Sequence, residues 1–487
     1  MKCALIIPAW TPNELFPAST AGAQINYWQP LGTLYVAASL QQAGHNVQFY
    51  NGAFLSQTDI LQHIKTFQPA FVGIYATTFG WYKAMHTAAD IKRLNANIFI
   101  CVGGPYPIAK PEQCLLDGDG SIDAVVTGEG EITVSEIVTH LDKGHNLNGI
   151  QGVMYRANEQ IIKNPPRPLI EDLDSLPFPA RDLLEDIERY VPPPATYRRK
   201  PVAVMITSRG CDRRCIFCSQ IDKARKGGIR GIRYRSVENV LQEIEACLAK
   251  GYKEIKFIDD TLAADRERLI NLCKEIIIRK LDFSWFASAC VNQVDEALLK
   301  VMQQAGCWAI LLGAESGVQK NLNTLHKGIT LEQTRQAVKA AKAAGLFVST
   351  PFVFGIPGET YEDALKTIDF AIELNPDIAN FHALTPFPGT PLYEQQQKYG
   401  RVSTRLSDYT YQGAAFTTNS LSRTQIHQLR QLALRRFYSR PSYLFKRLLQ
   451  IRSLHDCNIA VQGIKALFGL IGQKTLFQRQ PQIQNHV

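Results

Sequence analysis

Three cysteines spaced C-x3-C-x2-C, namely Cys211, Cys215 and Cys218, are the residues of this chain best suited to chemistry. They follow an apolar run, residues 202–207, that is typical of a buried strand. A loop this tight can give three thiolates to one 4Fe–4S cluster, a ligand set that leaves one iron without a protein ligand. We therefore expect an iron–sulfur site at the C-terminal end of a strand, with its reactivity at the open iron.

Other uses of these cysteines agree less well with the sequence. A zinc site needs a fourth cysteine or histidine, and no second paired spacing follows within about a hundred residues. A disulfide is disfavoured because three is an odd number and the chain has the features of an intracellular protein. A chance cluster among 11 cysteines is the remaining alternative. The preceding strand and the barrel pattern described below argue against chance.

With an aromatic residue, Phe217, directly before the last cysteine, the motif resembles the signature of the radical S-adenosylmethionine (SAM) enzymes. The resemblance implies that the amino and carboxylate groups of SAM chelate the open iron. One electron from the reduced cluster would cleave SAM to methionine and a 5′-deoxyadenosyl radical, while the protein supplies position and excludes water. It also implies an external electron donor such as flavodoxin or ferredoxin.

The composition is that of a soluble globular protein. The chain has 487 residues, 45% hydrophobic and 20% charged, which suggests about two to four domains. No run of eighteen apolar residues occurs and the N-terminus lacks a signal-peptide core, so we expect a cytoplasmic protein. The net charge of +9 resides in residues 401–487, where thirteen Lys/Arg and two acidic residues give +11. The catalytic part therefore does not predict binding to nucleic acid.

Residues 1–145 alternate between strand-like and helix-like patterns. The strand-like segments are residues 4–7, 47–50, 71–76, 98–102 and 124–126, and the helix-like ones are 31–43, 59–67, 81–94 and a segment from 131. This rhythm predicts a doubly wound parallel sheet covered on both faces. Ligands of such sheets lie beyond the C-terminal strand ends, where two glycine-bearing loops occur at residues 102–107 and 126–131.

The two loops are candidates for a second cofactor site. Lying upstream of the cysteine motif, their residues Gly103, Gly104, Gly128 and Glu129 resemble those of the cobalamin-binding domain of class B radical SAM methylases and cyclases. The resemblance implies bound cobalamin (B12), whose corrin the glycine backbone could approach closely. Ordinary glycine turns are the structural alternative.

One cobalamin motif is absent. Many cobalamin proteins carry D-x-H-x-x-G, whose histidine ligates cobalt. The corresponding strand end here reads Tyr50-Asn51-Gly52-Ala53, and the motif occurs nowhere else in the chain. No lower ligand of cobalt can therefore be named from this motif.

Residues 146–200 are rich in proline and predict a linker, and residues 173–181 resemble the linker of B12-binding radical SAM proteins.

In residues 201–400, six strands begin near positions 202, 254, 283, 308, 347 and 378, with helix patterns between them. Six β/α units predict a partial (β/α)6 barrel of the TIM type, which is the radical SAM fold. Its reactive residues should lie at the C-terminal strand ends.

The family resemblance assigns SAM contacts at these strand ends. Asp259 after the second strand would face the SAM amino group, and Glu315 and Ser316 of the G-x-E-S-G match would lie near the ribose. Gly355, Ile356, Pro357 and Gly358 resemble the family's G-x-I-P-G motif, with Phe354 in place of its first glycine, and would lie beside adenine. A helix N-cap is the alternative for each acid. At the third strand end, residues 290–292 stand where the family often has an arginine. Lys327 also matches a family pattern, with a solvated surface lysine as the alternative.

Residues 401–487 predict a basic helical region. In it, Leu444, Phe445, Leu448 and Leu449 alternate with Lys446, Arg447 and Arg452, a pattern that would suit the surface of an anionic membrane. A helical lid packed on the barrel is the alternative. Residues 436–441, Arg-Phe-Tyr-x-Arg-Pro, resemble a stretch found in related enzymes that act on hydrophobic substrates such as hopanoids and chlorophyll precursors. An apolar segment at residues 459–471 is too short to span a membrane.

Together these features predict an α/β protein with a doubly wound cobalamin-binding domain, a partial (β/α)6 radical SAM barrel and a helical C-terminal region. The predicted function is C-methylation of an unactivated carbon on a hydrophobic small molecule by a cobalamin-dependent radical SAM enzyme. The other cysteines lack the spacing of a second cluster, which argues against a methylthiotransferase. Three alternatives remain: oxidative cyclisation or rearrangement, a radical SAM enzyme whose N-terminal domain only docks a partner, and a sensing protein with a non-catalytic cluster.

Overall fold

The computed structural model describes residues 1–15, 27–157, 160–193, 196–219, 231–410, 413–450 and 461. Its first sheet has the strand order β2-β1-β3-β4-β5-β6-β7. These strands are β1 (Lys2–Ile7), β2 (Asn46–Asn51), β3 (Phe71–Tyr75), β4 (Phe99–Gly103), β5 (Ala124–Val126), β6 (Val153–Ala157) and β7 (Gln160–Lys163). The first five are parallel, which confirms the predicted doubly wound sheet.

Helices cover both faces of this sheet. They are α1 (Pro12–Leu15), α2 (Leu31–Gln42), α3 (Gln57–Phe67), α4 (Trp81–Leu94), α5 (Pro105–Ala109), α6 (Pro111–Asp117) and α7 (Gly130–Asp142). On one face Leu5 packs with residues of α2 and α7, and on the other Ile6 packs with residues of α3 and α4. Successive strand residues therefore point into two separate cores, as a sheet buried on both sides requires.

The last two strands correct the predicted domain boundary at residue 145. Strands β6 and β7 lie within residues 146–200, the stretch that its prolines had assigned to the linker. Both pair antiparallel, and no helix separates β6 from β7, so the β/α rhythm ends with α7. The remaining linker contains three short 3-10 helices, Leu173–Ser175, Arg181–Leu183 and Ile187–Arg189. Arg181 is buried and forms an ion pair of 2.6 Å with Glu243 of the second domain.

The second large sheet has six parallel strands in the order β8-β11-β12-β13-β14-β15, which confirms the predicted partial barrel. They are β8 (Val202–Met205), β11 (Glu254–Phe257), β12 (Ser284–Ala289), β13 (Cys307–Leu312), β14 (Phe347–Phe354) and β15 (Ile378–Ala383); β9 (Ser208–Arg209) and β10 (Arg233–Tyr234) form a separate antiparallel pair. The sheet does not close, because β8 and β15 are its two edges.

Helices follow these strands and cover their outer face. They are α8 (Val237–Ala249), α9 (Arg266–Ile278), α10 (Glu296–Gln304), α11 (Gln319–Thr324), α12 (Leu331–Ala343) and α13 (Tyr361–Leu374). Several begin at a Ser, Thr or Asp whose side chain accepts a hydrogen bond from the first turn, as Ser236, Asp265 and Thr360 do. Their apolar faces and alternate strand residues form the largest core of the protein.

The opposite face of this sheet, called the inner face below, carries Lys256, Ser288, Leu311, Asn380 and His382. These partly exposed residues alternate along their strands with residues of the outer core. The N-terminal domain covers the open side of the barrel next to β8. There Leu31 and Tyr35 pack with Val204, and Gln29 bonds to the hydroxyl of Tyr252 (2.8 Å).

The C-terminal region packs on the outside of the barrel. Its elements are α14 (Pro391–Glu394), α15 (Gln396–Tyr399), β16 (Gly400–Val402), β17 (Phe416–Thr418), α16 (Arg423–Tyr438) and α17 (Pro441–Gln450). Phe437 of α16 is buried against Phe381 of β15. Within the ranges given above, no helix is long and apolar enough to cross a membrane. Arg452 and residues 459–471 lie outside the described residues, apart from residue 461.

Candidate active site

The three predicted cluster cysteines lie on the loop that follows β8 and β9. All are free thiols; Cys215 is buried, whereas Cys211 and Cys218 are partly exposed. The backbone N–H of Ile216 donates to the Leu325 carbonyl (3.1 Å), and its carbonyl accepts from the Leu392 N–H (2.9 Å). These two bonds hold the middle of the loop against segments that follow β13 and β15.

Phe217, which precedes the last cysteine, packs in a small apolar cluster with Leu325, Val353 and Ile356. Its ring therefore links the cysteine loop to the G-x-I-P-G loop after β14. This contact explains why an aromatic residue suits the position: a large apolar side chain holds two cofactor loops together. Direct contact between Phe217 and a cofactor stays a prediction.

The three thiols match the ligand set of a 4Fe–4S cluster. All three are free and lie on one loop, and in such a cluster each thiolate binds a different iron. Among the described residues, no group of three His, Cys, Asp or Glu side chains is close enough together to hold a single ion.

Asp259, predicted to face the SAM amino group, is buried at the end of β11 and caps no helix. Its Oδ1 accepts hydrogen bonds from Thr207 N (3.0 Å), Thr207 Oγ1 (2.8 Å) and Ser208 Oγ (2.5 Å). Burial raises the pKa of Asp259, and these hydrogen bonds oppose the rise. The carboxyl group thus anchors the backbone just before the cysteine loop. Its contact with SAM stays a prediction, and the neighbouring Asp260 is the exposed carboxylate of this strand end.

Glu315 lies in a left-handed backbone conformation (φ 63°) after β13 and forms an ion pair of 2.7 Å with Lys327. The side chains are 14% (Lys327) and 8% (Glu315) exposed, so Lys327 is not the solvated lysine of the alternative interpretation. Burial would lower the pKa of Lys327, but the Glu315 charge and the nearby Cys215 and Cys290 thiols raise it above its ordinary value. A Cβ on Gly313 would lie 2.7 Å from Lys327 Nζ and 2.8 Å from Glu315 Oε1, so a larger residue there would require the ends of these two side chains to shift.

The residues after Glu315 hold the loop rather than open it to a ligand. Ser316 is fully buried, and its hydroxyl lies 3.1 Å from Thr367 Oγ1 of α13. A Cβ on Gly317 would lie 2.5 Å from the Cβ of Phe370, also on α13. The G-x-E-S-G loop is thus pressed against α13. Direct SAM contact by Ser316 is still a prediction.

The G-x-I-P-G loop forms a tight turn after β14. Gly355 (φ 86°) and Gly358 (φ 75°) are both left-handed, a conformation that favours glycine. The buried carboxyl group of Glu359 accepts from the N–H groups of Gly355 (2.7 Å) and Ile356 (3.2 Å) and from the Asn321 amide (3.1 Å). Burial raises the pKa of Glu359 to about 8, against the effect of the two backbone bonds. Pro357 completes the predicted adenine-side loop.

The third strand end carries no arginine of its own, but an arginine reaches it from the cysteine loop. Nη2 of Arg213 donates to Oδ1 of Asn292 (2.9 Å). Arg213 lies between Cys211 and Cys215 in sequence. A guanidinium group therefore lies beside this strand end although no arginine follows the strand in sequence.

The glycines of the N-terminal domain fit an approaching ligand to different degrees. A Cβ on Gly104 (φ 112°) would lie 2.6 Å from the Ala76 carbonyl, so this glycine is required by the fold itself. A Cβ on Gly128 would meet no atom within 4 Å, and one on Gly103 only the Cβ of Val126, at 3.9 Å. Both are partly exposed. Gly128 and Gly103 therefore border open space that cobalamin could fill, and their role in binding it stays a prediction.

The loop after β2, where some cobalamin proteins carry a histidine, is occupied by its own chain. Asn51 accepts from the Ala53 N–H (3.0 Å) and donates to the Tyr190 hydroxyl (3.2 Å). A Cβ on Gly52 would lie 2.3 Å from the backbone of Ala9. The Asn51 side chain is thus held by residues of this chain.

Glu129 is held by arginines of the barrel domain, and its contact with cobalamin stays a prediction. It is buried and forms ion pairs with Arg209 (2.8 Å) and Arg233 (3.0 Å), and it accepts from the Ile170 N–H (2.8 Å). Arg209 also pairs with Glu131 (2.6 Å). Burial would raise the pKa of Glu129, but the charge of Arg209 and these hydrogen bonds hold it below its ordinary value.

The role of these arginines was not visible in the sequence. Arg209 and Arg233 belong to no motif, and each lies far along the chain from Glu129. The pattern of residues 126–131 predicts a glycine loop of a cobalamin site and gives no sign of a contact with the barrel domain. The observed contacts make Glu129 part of a joint between the two domains. On the barrel side this joint contains Arg209, which lies two residues before the first cluster cysteine.

Comparison with known proteins agrees with these two sites. Residues 205–371 match the family model of the Radical SAM superfamily, and residues 24–138 match that of the B12 binding domain. An uncharacterised methyltransferase of Pyrococcus horikoshii is 37% identical over 455 residues, covering 92% of this chain and 94% of its own length. The anaerobic magnesium-protoporphyrin IX monomethyl ester cyclase of Rubrivivax gelatinosus is 32% identical over 388 residues, covering 77% of this chain and 68% of the cyclase.

Two solved structures share the fold. The cobalamin-dependent SAM radical enzyme OxsB, with aqua-cobalamin and SAM bound, has a TM-score of 0.72 and 17% identity, covering 96% of this chain and 72% of OxsB. The radical SAM methyltransferase TsrM of Kitasatospora setae, with tryptophan and a SAM analogue bound, has a TM-score of 0.66 and 20% identity, covering 81% and 76%. The cysteine loop, the two domains and the full-length relative together place this chain among the B12-binding radical SAM enzymes, whose cofactors are a 4Fe–4S cluster, SAM and cobalamin.

Proposed function

We propose that this enzyme transfers a methyl group to an unactivated carbon of a small-molecule substrate. When bound, the cluster and SAM supply a 5′-deoxyadenosyl radical that removes a hydrogen atom, and cobalamin supplies the methyl group. The observation that carries the proposal is the group of ion pairs between Glu129, Glu131, Arg209 and Arg233. It ties the glycine loop after β5 to the strand that leads into Cys211, which supports both cofactor loops facing one space.

The chain's own residues would hold and orient the cofactors. Cys211, Cys215 and Cys218 would ligate the cluster, with Asp259 fixing the backbone before them. The buried pair of Glu315 and Lys327 would lie at the edge of the SAM site. Relatives named as a methyltransferase and as a cyclase both support the radical chemistry. Oxidative cyclisation or rearrangement is the alternative outcome of the same machinery.

The test uses anaerobically purified protein reconstituted with cluster and cobalamin, reduced with titanium citrate and given SAM. The products 5′-deoxyadenosine and S-adenosylhomocysteine are quantified together, with Cys215→Ala as the control that should form no 5′-deoxyadenosine. Bound corrin and both products support methyl transfer. Deoxyadenosine without bound corrin or S-adenosylhomocysteine would overturn the methylase assignment. Reduced flavodoxin or ferredoxin, the proposed electron donors, should replace titanium citrate.

The predicted hydrophobic character of the substrate rested on residues 436–441. These residues lie on the outer side of the barrel, where Phe437 packs against Phe381 and the Tyr438 hydroxyl donates to the Ala379 carbonyl (2.9 Å). They cannot touch a substrate on the inner face. The stretch therefore supports a packing role, and the substrate has to be inferred from the inner face itself.

We also propose that α17 makes peripheral contact with an anionic membrane surface. Its residues Leu444, Phe445, Leu448 and Leu449 are 50%, 64%, 64% and 64% exposed. Lys446 and Arg447, expected on the lipid side, bond instead to the side chain (2.8 Å) and the carbonyl (2.5 Å) of Asp377. Contact would therefore depend mainly on the apolar face.

Co-sedimentation with vesicles tests this contact. Wild type should sediment with phosphatidylglycerol vesicles, and the double variant Phe445→Ser and Leu448→Ser should not. Ile278→Ser removes an equally exposed apolar side chain on α9 and should have no effect. Equal sedimentation of the double variant and wild type, or none by either, would overturn the proposal.

A further inference from the structure

The inner face of the barrel borders open space. Ser288, Leu311 and Asn380 are partly exposed although they lie within parallel strands that are paired on both sides or covered at their edge. Ile258, the next inner residue after β11, is 43% exposed. A concave surface that mixes polar and apolar side chains beside a cofactor loop is typical of a small-molecule site.

Lys256 is the cationic residue of this face on β11. Its Nζ lies 4.2 Å from the centroid of the Trp28 ring and 4.1 Å from that of Phe286. Throughout the described parts of the chain, this Nζ makes no hydrogen bond and no ion pair. Trp28 belongs to the N-terminal domain, so the lysine lies where that domain covers the open side of the barrel.

The nearest acid on the same strand does not neutralise this lysine. The carboxylate of Glu254 already accepts from the N–H groups of Arg198 and Arg199 (2.9 Å each), from Ser284 Oγ (2.6 Å) and from Trp308 Nε1 (3.1 Å). Burial lowers the pKa of Lys256 to about 7, and the Glu254 charge only opposes this effect. The lysine is therefore held in a site that penalises its charge.

A purely structural role would leave that penalty unexplained. Contact with two aromatic rings offsets only part of the free energy that is lost when an ammonium group is desolvated. Without a directly paired counter-charge the rest is not recovered, and a methionine at this position would pack between the same rings without that cost. A negatively charged ligand beside Lys256 would compensate the cost of desolvating its ammonium group.

We propose that Lys256 binds an anionic group, a carboxylate or a phosphate, on the substrate. This inference rests on the proposed function and deepens it by naming the substrate class: a small amphipathic acid. Its anionic end meets Lys256 between Trp28 and Phe286, and its apolar part lies along Ile258 and Leu311. One substrate molecule can then carry both the apolar carbon that reacts and the anionic group that Lys256 binds.

Matched small molecules test the anchor in the full-length, cluster-reconstituted protein without SAM or reductant. The probes are 4-phenylbutyrate, its neutral amide and phenyl phosphate. Binding is measured by calorimetry, and protection of Lys256 from trinitrobenzenesulfonate is measured by mass spectrometry. We expect an acid to bind about tenfold or more tightly than the amide, as for a hydrogen bond to a charged group, and to protect Lys256. The stronger of the two acids identifies carboxylate or phosphate as the anchor chemistry.

Variants separate the anchor from general effects. Lys256→Met should abolish the preference for the acid, and Lys256→Arg should retain it. Lys300→Met removes an exposed lysine on α10 and should change nothing. Retained iron–sulfur absorbance shows that each variant is folded.

Three outcomes would overturn the proposal that Lys256 binds the anionic group. They are equal binding of acid and amide, no protection of Lys256 by either acid in wild type, and an acid preference that survives in Lys256→Met. The wild-type protection result does not depend on any variant. Because no turnover is involved, failure of methyl transfer and failure of the anchor are observed separately.

Discussion

Nη1 of Arg209 donates a hydrogen bond of 2.8 Å to Oε1 of Glu129, joining the strand before the first cluster cysteine to a glycine loop of the cobalamin-binding domain. Neither side chain reaches solvent to any large extent. The ion pair therefore holds the glycine loop against the strand that precedes Cys211, because separating two largely buried charges would leave each without its partner.

The pair of Arg209 and Glu131 should be strongly coupled. Arg209→Met leaves Glu131 without its ion-pair partner and Glu129 with Arg233 alone, and should lower the free energy of unfolding by about 3 kcal/mol. In a double-mutant cycle with Glu131→Gln, the double variant should lose less than the sum of the single variants. Urea unfolding of the reconstituted protein measures this. Additive losses would contradict the coupling.

Glu315→Gln should destabilise the SAM side of the site. It leaves the buried Lys327 ammonium without its carboxylate, at a cost of about 3 kcal/mol, and should weaken SAM binding. Glu373→Gln is the matched control, because it removes an exposed carboxylate paired with Arg335. Urea unfolding and equilibrium binding of SAM measure both effects. Equal behaviour of the two variants would contradict the role of the buried pair.

Glu359 should make stability fall as the pH rises. Its pKa is raised from the ordinary 4.5 to about 8, so the folded enzyme retains a proton that the unfolded chain has lost. The stability that this proton contributes is fully present below pH 4.5 and is lost as the pH rises through about 8.

Glu359→Gln carries the amide equivalent of the protonated carboxyl group. Its unfolding midpoint should therefore change less than that of wild type between about pH 5 and about pH 8.5. Thermal unfolding of both proteins across this range measures the difference. Parallel curves would show that Glu359 does not titrate in this window.

Two glycines of the N-terminal domain should respond differently to substitution. Gly104→Ala brings a Cβ to within 2.6 Å of the Ala76 carbonyl and should lower the unfolding midpoint without any ligand present. Gly128→Leu enters open space, so the apoprotein should be unchanged while cobalamin affinity falls by about tenfold or more through steric overlap. Thermal unfolding and corrin absorbance after gel filtration measure these outcomes. Unchanged corrin retention in Gly128→Leu would remove this loop from the cobalamin site.

Local patterns were sufficient for the architecture. The β/α alternation predicted the five parallel strands of the first sheet and the six of the barrel, because each unit buries its own apolar stripe within about thirty residues. The hairpin of β6 and β7 was missed for the same reason: antiparallel strands need no helix between them, so the rhythm contained no sign of them.

Sequence patterns alone predict the cysteine loop, the two cofactor domains and the glycine-rich loop after β14, because these features depend on neighbours along the chain. Three other features depend on the tertiary structure: Glu129 faces Arg209, Lys327 pairs with Glu315, and Lys256 lies beside Trp28 and Phe286. The reason is physical: the charge state and exposure of a side chain are set by what packs against it, and residues distant in sequence supply those contacts.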